Sequence, residues 1–261
     1  MSEFKFLMNK VRKTYTTHGA AFRVLGDINL SIKEHEFVCI MGPTGCGKST
    51  LMRLMCGIEP CDRNSYFQFY DVDAAQHIPK RLLSHMGVVF QSDNLMEWRT
   101  VHDNVRLPLE IFGLKRDPKY KNSIEDALKL VGLEDYANCY PKELSGGMRQ
   151  RAGIARALVH DPSVLMLDQP FGALDAITRK SLNQELLNIY EKMQNTMIMV
   201  TNNINEAMTL ATRIIVLSPK PAMVVGNFEV PFTLEERRGN LLEQPRFLEL
   251  RGLIGSLIHS I

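Results

Sequence analysis

The stretch GPTGCGKST at residues 42–50 sets Gly42, Gly47, Lys48 and Ser49 at the spacing of a loop that cradles phosphates. Gly42, Pro43, Thr44, Gly45, Cys46, Gly47, Lys48, Ser49 and Thr50 make up that loop. Its backbone N–H groups and the N-terminus of the next helix suit phosphate oxygens, the Lys48 ammonium suits the β and γ oxygens, and the Ser49 hydroxyl would hold magnesium. A second anion site is legible about a hundred residues later, where Ser145, Gly146 and Gly147 in LSGGMRQR form a turn opening a helix. A third stretch, VLMLDQPFGALD, brings four apolar residues into Asp168, the pattern of a buried parallel strand that ends at a magnesium site. The next residue is Gln169, an amide where a carboxylate would polarise water, and an amide accepts no proton usefully.

These groups need a scaffold that brings strand ends and helix starts together. EFVCIMGPTGCGKSTLMRLMCGIEP reads as strand, glycine-rich turn and helix, with Leu51, Leu54 and Met55 at helical spacing. Further strands are expected at 86–90, 163–167, 196–200 and 213–217, with a helix in AITRKSLNQELLNIYEKM, so a parallel sheet covered by helices is implied. Between residues 92 and 160 the apolar period becomes helical in VHDNVRLPLEIFGL, SIEDALKLVGL and GGMRQRAGIARALVH, which reads as an inserted helical subdomain. After Pro231 a polar segment leads to a terminal helix whose Phe247, Leu250, Ile254 and Leu257 share one stripe, as in a helix docked on its own domain.

Composition narrows the partners. The chain has 261 residues, 45% of them hydrophobic, enough for a full core in one domain carrying an insertion. Lys plus Arg number 31 against 29 Asp plus Glu, so no polyelectrolyte field argues for nucleic acid. Five cysteines without C-x-x-C or His-paired spacing disfavour a disulfide framework and a zinc site, and suit a reducing cytoplasm. The N-terminus has no signal-peptide pattern, and no apolar run approaches the roughly 20 residues of a spanning helix. Cys46, in the phosphate loop at a helix start, is either a thiol biased toward thiolate by the helix dipole or a small core residue.

Taken in order, the motifs make the chain similar to an ATP-binding-cassette ATPase over roughly residues 5–230. That resemblance implies an α/β fold: a P-loop NTPase, RecA-like, with a parallel-sheet core, an N-terminal antiparallel β portion and an inserted helical subdomain. It implies an ATPase domain over 1–230, with its core at 1–91 and 160–230 and the helical subdomain at 92–159, followed by a helical tail at 231–261. It implies ATP and Mg2+ as cofactors. Tyr15 in RKTY resembles the aromatic that stacks on adenine, and Gln91 in VVFQS the loop glutamine that joins magnesium to the helical subdomain. Asp168 resembles the Walker B carboxylate, Asp175 in GALD the dimer-contact loop, and the segment holding Asn202 the switch region. Ser145 and Gly147, in a segment that includes Gly146 and Gln150, would contact the γ-phosphate of ATP held by a second cassette.

The region NLMEWRTVHDNVRLPLEIFG and the segment LSPKPAMVVG are similar to importer cassettes of the nitrate, sulfonate, taurine and pyrimidine-precursor type. The resemblance therefore implies permease subunits and a second cassette as direct partners, a solute-binding protein as an indirect one, no nucleic acid, and a peripheral place on the cytoplasmic membrane face. Leu95, Met96 and Trp98 would either face the membrane partner or belong to the core. Three positions depart from the family pattern: His35 stands where a glycine usually precedes Glu36, Gln169 replaces the catalytic glutamate, and Asn202 replaces the switch histidine. The last two would remove the groups that orient and deprotonate water while leaving the binding groups in place. An isosteric Glu-to-Gln exchange is what a nucleotide-trapping design would choose. A degenerate subunit paired with an active cassette would show the same loss.

Overall fold

The structure is a computed structural model and describes residues 4–17, 19–172, 174–239 and 241–261. The first half runs β1 (Phe4–Thr17), β2 (Ala20–Lys33), β3 (Phe37–Met41), α1 (Lys48–Met55), β4 (Tyr66–Phe69), β5 (Val72–Asp73), α2 (Lys80–Leu83), β6 (Met86–Val89), α3 (Val101–Ile111) and α4 (Ser123–Leu130). The second half runs α5 (Gly146–Leu158), β7 (Val164–Asp168), α6 (Ala176–Met193), β8 (Thr196–Val200), α7 (Ile204–Leu210), β9 (Arg213–Leu217), β10 (Val224–Glu229), α8 (Leu234–Arg238) and α9 (Pro245–Ser260). The fold is α/β, with parallel and antiparallel pairing both present. Two compact units divide it: the chain up to Lys80 together with Thr196–Ile261, and Arg81–Asn195.

In the first unit β3 pairs in parallel with β8 on one side and β9 on the other, and β10 closes the edge antiparallel to β9. FVCIM and TMIMV are buried at every position, which is why these strands read as unbroken apolar runs rather than alternating ones. β1, β2, β4 and β5 form a separate antiparallel sheet, held by Phe6 stacked on Phe69 at 4.7 Å. The terminal helix α9 packs as expected, with Phe247 and Ile254 fully buried and Phe247 beside Phe232.

Arg237 ties the tail to the unit. Its buried guanidinium donates to the carbonyls of Ala211 (2.6 Å), Phe232 (2.9 Å), Val230 (3.2 Å) and Thr209 (3.3 Å). Arg237→Ala removes all four of these buried charge-assisted hydrogen bonds, so unfolding in urea should show a loss of about 3 kcal/mol or more. Arg237→Lys should recover less than half of it, because one ammonium cannot reproduce a planar fork. A loss under about 1 kcal/mol for Arg237→Ala would mean that water replaces the guanidinium at no cost.

In the second unit β6 and β7 pair in parallel, with Val89 opposite Leu167, and α3, α4 and α5 pack on one another. Thr100 caps α3 by accepting from the Asp103 N–H. α6 covers Ala176–Met193, the full span of the expected helix.

Candidate functional site

In the first unit the phosphate loop follows β3. Gly47 stands at φ 124°, and a Cβ there would lie 3.0 Å from the side chains of both Val24 and Leu25, so only glycine lets the loop settle on β2. Thr44 and Gly45 are exposed at the loop's tip. No side chain caps α1 and no acidic residue stands in its first turn, so the positive end of the helix meets the loop without a carboxylate of its own. Lys48 is 4% exposed, and its ammonium donates to the loop's own carbonyls at Gly42 (2.8 Å) and Pro43 (2.9 Å). Its charge therefore lies beneath the loop, where phosphate would be held. Cys46 is 2% exposed, so the core alternative applies to it and its thiol is closed to solvent reagents.

Asn202 is exposed just after β8, whose neighbour β3 leads into the phosphate loop, so both segments emerge at the same end of parallel strands. Beneath it Thr201 donates its hydroxyl to buried Glu206 and its backbone N–H to Ile40 (3.2 Å), which fixes the turn. Tyr15 near the end of β1 is part-buried; its hydroxyl donates to Glu59, and the Thr50 side chain of the phosphate loop hydrogen-bonds to it. Burial, reinforced by Glu59, raises the Tyr15 phenol above its usual pKa. His35 adopts φ 61°, the left-handed conformation that glycine takes without steric cost.

In the second unit Gln91 follows β6 and Asp168 ends β7, and the parallel register puts both at one end of the pair. Gln169 has φ 47° and accepts the Gly172 N–H at 3.1 Å, a tight turn held in a sparsely populated conformation. Ser145 caps α5, accepting from the Met148 N–H at 3.2 Å, and Ser145 and Gly146 are exposed. A Cβ on Gly147 would meet Thr178 Cγ2 at 2.9 Å, so α6 packs directly on this turn. Gln150 is 6% exposed, one turn into α5 behind the Ser145 surface. Asp175 caps α6 through the Ile177 and Thr178 N–H groups; the hydrogen bonds from Thr178, first among the causes, lower its carboxyl pKa.

Sequence reasoning passed over a clamp that joins these segments. Arg149 donates to Asp93 (2.9 Å) and to the Leu144 carbonyl (2.9 Å), and Arg156 donates to the carbonyls of Asp93 and Asn94 (both 2.7 Å). The signal was Arg149 and Arg156 at two-turn spacing on one face of α5. Of the apolar residues near α3, Leu95 is buried and Trp98 is 75% exposed. Asn104 holds their segment, accepting from the Met96 N–H and donating to the carbonyls of Met96, Arg99 and Thr100. A groove of about 280 Å³ runs beside α3, lined by Phe90, Leu107, Ile111, Phe112 and His160 among others, with Ile111 68% exposed.

A glycine-rich phosphate loop between a parallel strand and an uncapped helix defines a nucleotide-binding class of α/β protein. The chain belongs to the ABC transporter family, whose model matches residues 25–172. It is 38% identical over 249 residues to the taurine import ATP-binding protein TauB of Rhizobium johnstonii, covering 93% of this chain and 92% of that one. It is 39% identical to the nitrate import ATP-binding protein NrtD of Synechococcus elongatus, covering 92% and 86%. Among solved structures, a dimeric ATP-binding cassette in a post-hydrolysis state, bound to ADP and Pi, superposes with a TM-score of 0.75 at 32% identity, covering 87% of this chain and all of that one.

Proposed function

We propose that this chain is the ATP-binding subunit of an ABC importer of the nitrate, sulfonate and taurine class, acting as one of a pair of cassettes on the cytoplasmic face of the membrane. The observation that carries the reading is the uncapped start of α1 behind a glycine loop, with the buried Lys48 ammonium under it. ATP would supply the phosphate charge that closes the pair and, when cleaved, resets it. Lys48 neutralises phosphate oxygens and Tyr15 offers a ring to the base. Ser145 and Gly147 present a second anion-binding turn to the partner cassette's nucleotide.

Magnesium fits the donors. Ser49, Asp168 and Gln91 each offer a side-chain oxygen. That suits a cation held by one carboxylate together with phosphate and water oxygens. The groove of Phe90, Leu107 and Ile111, with exposed Trp98 nearby in sequence, is an apolar surface for a segment of the permease. Among the described residues no helix is long and apolar enough to cross a membrane. A solute-binding protein would act through the permease.

Gln169 and Asn202 favour a second reading, in which the chain binds ATP but hydrolyses it slowly or not at all beside an active cassette. Both readings require ATP-driven pairing. Size exclusion or mass photometry with ATP and magnesium should show a dimer, or a complex with a second cassette and permease. A chain that stays monomeric in every one of these mixtures would overturn both.

A further inference from the structure

Beside Tyr15 stands a second ring that the cassette reading does not use. Phe22 lies directly opposite Tyr15 in the β1–β2 register, with ring centroids 5.9 Å apart and planes 30° apart. It is 44% exposed, the third residue of β2, close to the hairpin turn. Its strand is the one on which Gly47 rests through Val24 and Leu25, and Tyr15 bonds to Thr50 of the phosphate loop, so Phe22 stands one ring away from that loop. The loop after β9 backs Phe22: Ala222 donates to the Val24 carbonyl (2.9 Å) and accepts from Gly26 (2.7 Å), and Lys220 Nζ stands 5.8 Å from the Phe22 ring.

Tyr15 itself is locked. Glu59 accepts its hydroxyl and is in turn held by Lys13 at 3.3 Å and Arg53 at 3.6 Å, while Lys13 also donates to the Pro60 carbonyl at 2.8 Å. A ring fixed at its polar end loses little freedom when a base stacks on it.

Building on the reading of the chain as an ATP-binding subunit, we propose that its nucleobase wall is two rings wide, Tyr15 with Phe22, and that Glu59 is the positioning residue that sets the Tyr15 ring. The wall suits a purine, whose fused rings can cover both aromatic surfaces, over a pyrimidine, which covers one.

The test is calorimetric titration of the full chain with three probes: Mg-ATP, Mg-UTP and inorganic tripolyphosphate. Phe22→Ala should weaken ATP about 5-fold or more, leave tripolyphosphate unchanged, and narrow the ATP-to-UTP preference. Glu59→Ala should weaken ATP but not tripolyphosphate, and Glu59→Gln, which keeps an acceptor, should restore it. Glu59→Ala should add nothing on top of Tyr15→Phe, because both cut one bond. If Phe22→Ala binds ATP and UTP as the parent chain does while Tyr15→Ala weakens ATP, the wall is one ring wide and the inference is overturned. If Lys48→Ala also leaves ATP affinity unchanged, the subunit reading itself has failed. Retained tripolyphosphate binding shows that the Phe22, Tyr15 and Glu59 variants have folded.

Discussion

Gln169→Glu is expected to raise ATP turnover by roughly 10²-fold, the scale on which a positioned general base contributes. The substitution keeps shape and volume. The turn it occupies is held by backbone, through φ 47° and the Gly172 N–H on the Gln169 carbonyl, so a glutamate inherits the same placement. Asp168 and Lys48 are untouched, so ATP affinity should change little while phosphate release from the assembled transporter accelerates. Asn202→His alone should help less, since an imidazole could orient water but would find no carboxylate, and the pair together should exceed both. Unchanged turnover in Gln169→Glu, with ATP still bound, would put the degenerate subunit ahead of the transport ATPase.

Lys48→Ala is expected to weaken Mg-ATP by roughly 10²-fold and to remove ATP-driven pairing with it, since charge-assisted hydrogen bonds contribute about 1.5–3 kcal/mol each. The ammonium already sits on the Gly42 and Pro43 carbonyls at 2.8 and 2.9 Å, so only a small shift is needed to meet phosphate oxygens. Lys48→Arg should not rescue, because a planar guanidinium does not fit a site that leaves the lysine 4% exposed. Titration calorimetry checks the affinity. Wild-type affinity in Lys48→Ala would remove the phosphate loop from the account of binding.

What the sequence disclosed follows from how strongly local pattern constrains structure. β3, β8 and β9 fall on the expected residues because buried parallel strands are unbroken apolar runs, and α6 because its helical period is long. β6 and β7 shift by a residue at their ends, where pairing rather than composition decides the limit. The fates of Leu95 and Trp98 were not legible, since they lie in an aperiodic segment where no repeat assigns faces; Asn104, several residues on, decides them. The two readings of Cys46 could not be separated in the sequence, because a motif names positions while burial is set by what packs against them. The Arg237 and Arg156 clamps end on backbone carbonyls, so nothing in the residue type of the accepting segment marks them.

The Arg149 and Arg156 bonds to the segment at Asp93 and Asn94 make Gln91 and Ser145 opposite ends of one lever. Only Ser92 lies between Gln91 and the first gripped residue, so there is almost no slack to absorb a tug, and α5 must swing with whatever Gln91 grasps. Removing the Asp93 carboxylate and the Arg156 guanidinium together would spare both ends and disengage the gear between them, which amide hydrogen exchange would register as Gln91 and Ser145 fluctuating out of step.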